Sequence, residues 1–100
     1  MAVKILMTWD IVPGREQEYF EFVVREFVPG VQRLGFELTD AWMTAYGDQP
    51  QILVGASLPN LSKARQILRS TDWKNLQTQL MDLVTNFNQK IVAAHGGFQF

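Results

Sequence analysis

Three side chains in this 100-residue chain are placed where they could move a proton: Asp10, Asp40 and His95. Asp10 follows Trp9 at the end of an alternating run. Buried against apolar rings, its carboxyl would have a raised pKa and could act as an acid or base; solvated at a strand end, it would do neither. Asp40 stands in line with Leu38 and Trp42 and is the better candidate for a perturbed carboxylate. The competing reading makes it a residue of a sheet edge or bulge. His95 is the single histidine and precedes Gly96-Gly97, which reads as a loop. The sequence holds no nucleophile–histidine–acid set, metal-ligand cluster, phosphate loop or Gly-rich fingerprint. It holds no cysteine, so thiolate and disulfide chemistry are excluded. No catalytic residue, metal or cofactor is therefore expected.

Composition narrows the function classes. The net charge is −1 and the nine basic residues are scattered, which argues against a nucleic-acid footprint. No apolar run approaches the length of a membrane span. No basic, apolar leader precedes Val3, so a cytoplasmic location is expected. A chain of this size forms one domain, residues 1–100.

The candidate residues need elements to position them. At 3–11, Val3, Ile5, Met7, Trp9 and Ile11 alternate with Lys4, Leu6, Thr8 and Asp10, as in a strand with one apolar face. Val12-Pro13-Gly14 stops it. Residues 15–34 read as one helix with Phe20, Val23, Val24, Phe27, Val31 and Leu34 on a stripe, and with Phe22 pointing away. Pro29 should kink this helix, and Gly35 should end it.

A hairpin follows. Its strands, 36–46 and 51–58, flank a turn at 47–50 containing Gly47, Asp48 and Pro50. Alternation places Phe36, Leu38, Asp40, Trp42, Thr44 and Tyr46 on one face. Asn60 caps a short helix, 61–69, and Ser70-Thr71-Asp72 opens another, to about residue 82. Residues 83–94 fit a helix by periodicity. They are assigned as a strand, because the sheet otherwise lacks a partner. On that strand Asn86, Asn88 and Lys90 share a face. Phe98-Gln99-Phe100 forms a short tail that could cover an edge or reach a partner.

The resulting class is α+β, in the order β-α-β-β-α-α-β: a ferredoxin-like, four-stranded antiparallel sheet with helices on one face. The other face would expose Leu6, Val12, Ala41, Met43, Ala45, Leu53, Val84 and Val92. An apolar sheet of that extent implies a partner, and a two-fold homodimer, as in a dimeric α+β barrel, is the simplest way to cover it.

Several features together resemble the NIPSNAP-like branch of the dimeric α+β barrel superfamily over nearly the whole chain. They are the strand ending in Pro13-Gly14, the helix through Pro29 to Leu34-Gly35, Trp42 in the second strand, the Gly47-Asp48 turn, and Asp72 with Trp73 and Leu76 opening the last helix. The resemblance also supports the strand at 83–94. It implies a small, often aromatic ligand between sheet and helices, with Met7, Trp9, Asp40, Trp42 and Tyr46 as candidate ligand-binding residues. The sequence departs from the family pattern where an Arg often replaces Met7, a Glu stands near Ala45, and a His and an aromatic stand near Val54 and Ala56. No catalytic residue is carried over.

Two functional readings follow. One is a homodimer that binds a small apolar or aromatic molecule without a defined catalytic site. The other is a cofactor-independent monooxygenase, isomerase or decarboxylase acting on a small aromatic or polyketide-like substrate. A continuous cavity holding a buried, unpaired Asp10 or Asp40 would favour the enzyme.

Overall fold

The computed structural model describes residues 1–44 and 50–94. Residues 45–49, which hold Ala45 and Tyr46 at the end of the expected first hairpin strand and most of the expected turn, and residues 95–100, with His95 and the Phe98–Phe100 tail, lie outside the described residues. The elements are β1 (Val3–Ile11), α1 (Glu16–Phe22), a π turn (Val23–Phe27), α2 (Val28–Leu34), β2 (Glu37–Met43), β3 (Ile52–Leu58), α3 (Leu61–Leu68), α4 (Thr71–Met81) and β4 (Val84–Ala93). The sheet order is β2-β3-β1-β4, and every neighbouring pair is antiparallel. This is the ferredoxin-like arrangement expected from the sequence.

β1 is one of the two inner strands, and its burial alternates along its whole length, with Val3, Ile5, Met7, Trp9 and Ile11 inside. Val84–Ala93 is indeed a strand, paired to β1. Periodicity alone would have made it helix, but Leu80 closes the preceding helix by accepting from Leu83 N at 2.9 Å, and the β1 edge supplies the ladder that the segment needs. α3 and α4 begin at the expected caps. Asn60 Oδ1 accepts from Lys63 N at 2.7 Å, and Ser70 Oγ accepts from Trp73 N at 3.2 Å.

The helical stretch from α1 to α2 differs from its sequence reading in phase. Pro29 does not interrupt it; the strain is taken up one turn earlier by the π turn, where Val28 N–H donates to Val23 O, five residues back. In a regular α-helix the proline ring would meet the carbonyl four residues before it. The surplus residue rotates everything upstream. Tyr19 becomes buried and Phe22 packs on the core, whereas Phe20 and Val24, expected inside, are 43% and 70% exposed. Downstream, Phe27 and Val31 are buried as expected. Gly35, at φ 108°, ends the stretch.

A second change of phase occurs in β2. Leu38 pairs with Ala56, but the next pair is Asp40 with Gly55, so Thr39 and Asp40 together oppose one position of β3. This bulge reverses the alternation. Phe36 and Leu38 face the helices; beyond the bulge it is Ala41 and Met43, opposite Val54 and Ile52, that continue that face. Asp40 and Trp42 turn to the open face, opposite Gly55 and Leu53.

The open face is accordingly less apolar than expected. It carries Leu6, Leu53, Val92 and Trp42, interspersed with Lys4, Thr8, Asp10, Asp40, Ser57 and Lys90. Val84, expected on it, is buried opposite Ile11. In β4, Asn88 and Lys90 share this face, and Asn86 sits at a second bulge with φ 56°.

The core lies between sheet and helices and is centred on aromatic rings. Trp9 stacks on Phe87 and meets Phe27 edge-on, both at 5.9 Å, and Trp73 meets Phe36 edge-on at 5.7 Å. No helix among the described residues is long and apolar enough to cross a membrane.

Candidate functional site

A cavity of about 240 Å³ opens between the helical layer and the β2–β3 half of the sheet. Its floor is Trp9 from β1, Ile52 and Val54 from β3, and Leu38, Ala41 and Met43 from β2. Its roof is Tyr19 and Phe20 from α1, Val23 and Phe27 from the π turn, and Val28. The two phase changes build it: the π turn brings Tyr19 and Val23 over the sheet, and the bulge puts Ala41 and Met43 under them. β2 is an edge strand, so the mouth stays open, and Phe20, Trp42 and Met43 are exposed around it.

The candidate residues distribute unevenly over this site. Trp9 lines the cavity; Asp40 and Trp42 border it on the edge strand, with the bulge turning their side chains to the open face. Met7 is fully buried in the core and does not line it. Tyr46 lies outside the described residues. Sequence reading missed Tyr19 because strict α periodicity put it off the stripe. The available signal was Pro29, whose ring disfavours an undistorted helix upstream and so allows the phase to change there.

The polar chemistry of the lining is sparse. Trp9 Nε1–H donates to the Tyr19 hydroxyl at 2.9 Å, a buried bond that fixes both rings. Burial raises the Tyr19 pKa, more than the Trp9 hydrogen bond lowers it, so the phenol stays protonated near neutral pH. Asp40 faces away from the helices. Lys4 Nζ lies 2.8 Å from its Oδ2, and the Thr39 hydroxyl donates to the same oxygen at 3.1 Å. The Lys4 hydrogen bond holds the Asp40 carboxyl below its usual range, and burial opposes this only in part.

Asp10 is a strand tie. Its two oxygens accept from Asn86 Nδ2 and Gln51 N, each at 2.9 Å, and Gln51 Oε1 accepts from Ile11 N at 2.7 Å. These bonds join β4, β1 and the start of β3. The Asn86 bond, then the Gln51 bond, lower the Asp10 pKa. The carboxylates singled out by sequence are thus both engaged, and both are poor proton acceptors near neutrality. Among the described residues no group of three or more His, Cys, Asp or Glu could hold a metal ion.

No family model matches the chain, and no curated protein matches it. Solved structures do. A NIPSNAP family protein from Agrobacterium tumefaciens is 18% identical with a TM-score of 0.71, over 96% of this chain and 95% of that one. An uncharacterized NIPSNAP-like domain protein from Burkholderia xenovorans is 14% identical with a TM-score of 0.72, over 98% and 89%. A cofactor-independent oxygenase from Streptomyces nogalater is 15% identical with a TM-score of 0.69, over 96% and 95%. At these identities the likeness is one of fold. The chain has the ferredoxin-like α+β fold shared by NIPSNAP-family proteins and this oxygenase.

Proposed function

We propose that the protein is a homodimer that binds a small apolar or aromatic molecule in the cavity beneath α1 and the π turn, without a defined catalytic site. The observation that carries this reading is the cavity itself: about 240 Å³, walled by aromatic and aliphatic side chains and open at an edge strand. The oxygenase of like fold brings the enzymatic reading to mind. Against it stand the engaged carboxylates, since Asp40 is paired to Lys4 and Asp10 is bonded twice. The dimer rests on the open sheet face, which carries Leu6, Leu53 and Val92 together with a Trp42 that is 65% exposed.

Titration calorimetry with tetralin, an apolar bicyclic hydrocarbon, tests the binding reading. The wild type should bind it. Val23→Phe, which fills the cavity from its roof, should weaken binding at least about tenfold while leaving the melting temperature within a few degrees. Binding that is unaffected by Val23→Phe in a folded protein would place the ligand elsewhere.

A further inference from the structure

We propose that the Tyr19 hydroxyl is the specificity-determining donor of this cavity, and that the ligand is an apolar ring compound bearing a carbonyl oxygen to accept its proton. This rests on the cavity-binding reading above and goes beyond it by naming the ligand chemistry.

The direction of the buried Trp9–Tyr19 hydrogen bond is forced. An indole N–H can only donate, so at 2.9 Å the phenol oxygen must accept. The phenol's own proton is then free to point elsewhere. Among the described residues, the hydroxyl's hydrogen bond is the one from Trp9. Tyr19 is 3% exposed, so contact with bulk water is nearly closed, while the residue is one of those that line the cavity. A buried donor without an acceptor is unfavourable, and a ligand that supplies one relieves this. Donation from Trp9 also polarises the phenol and strengthens it as a donor. Asp40, the acid among the lining residues, turns its carboxylate to the open face, where Lys4 holds it, and does not compete. Burial keeps the phenol neutral, so it presents a donor throughout the neutral range. A ketone oxygen, with two lone pairs and no proton of its own, matches that donor.

The test compares 1-tetralone with tetralin, two bicyclic compounds of nearly equal size that differ by the carbonyl. Calorimetry on the wild type should show 1-tetralone binding about tenfold more tightly, the effect of one added hydrogen bond. In Tyr19→Phe the ratio of the two affinities should fall to about one. Tyr19→Phe also strands the Trp9 N–H and could lower stability, so the wild type carries a second measurement: the infrared carbonyl stretch of bound 1-tetralone. It should lie below its frequency in hydrocarbon solvent. Equal binding of the two compounds, or a stretch at the hydrocarbon value, would overturn the proposal while the cavity reading stands. Failure of both compounds to bind would overturn the two together.

Discussion

At Gly55 the sheet leaves room for a charge. A Cβ there would lie 2.7 Å from Asp40 Oδ2 and 3.3 Å from Leu6 Cδ2, so the carboxylate occupies the space that a side chain would take on its way to Lys4. The pair is partly exposed, 26% for Lys4 and 18% for Asp40, so its contribution is modest, about 1 kcal/mol. Its pH dependence has a definite sign. The folded-state pKa of Asp40 is lowered by Lys4, against an unfolded value of about 3.9. The stabilisation is therefore complete above the unfolded value and is lost as the pH falls through the lowered folded one. Asp40→Asn should reduce the urea midpoint at pH 7, and the gap from wild type should close in acid, as the pH falls through the lowered folded-state pKa. A gap of the same size at pH 7 and in acid would mean that the carboxylate charge contributes nothing.

At the level of the element, the helical stretch from Glu16 to Leu34 is shaped by Pro29 although Pro29 does not end it. Proline at the start of α2 withholds an N–H, and the π turn before it takes one residue more per turn than an α-helix. Pro29→Ala restores a donor and removes the ring. Since Phe27 and Val31 are already seated in the core, the substitution should be tolerated or slightly stabilising in chemical denaturation. A loss above about 2 kcal/mol would show that the proline holds the π turn, and with it Tyr19, in place. α2 crosses α4 closely at Gly30, where a Cβ would stand 2.6 Å from Leu76 Cδ1, so the downstream half of the stretch has little freedom to readjust.

For the whole molecule, the sheet has a covered face and an open one. The open face mixes Leu6, Leu53, Val92 and Trp42 with the Lys4–Asp40 pair, so a second copy docking there would bury both apolar area and charge. Sedimentation at low micromolar concentration should give twice the chain mass of 11.5 kDa; a single species at that mass would reject the dimer. Leu53→Asp should shift the equilibrium toward monomer. Met43 is the wrong probe, because the β2 bulge turns it to the helix side, opposite Ile52.

The sequence by itself determined the order of the elements up to the last, the apolar face of β1 and the helix caps. Alternation from Val3 to Ile11, Asn60 and Ser70 ahead of apolar helices, and Gly35 after Leu34 are local patterns, and each acts within a few residues. Trp9, Asp40 and Trp42 were legible as candidates because aromatic and acidic residues stand out in strands. Which way they face was not legible. A bulge at Thr39–Asp40 and a π turn before Pro29 each insert one residue into a repeat, and a single insertion puts the side chains on its two sides out of phase with one another. Residues 83–94 likewise read as helix by period and became strand because the β1 edge offered a ladder. Such choices depend on what the backbone meets across the sheet or under the helix. Tertiary packing alone therefore brought Tyr19 onto Trp9 and opened the cavity between them and β2.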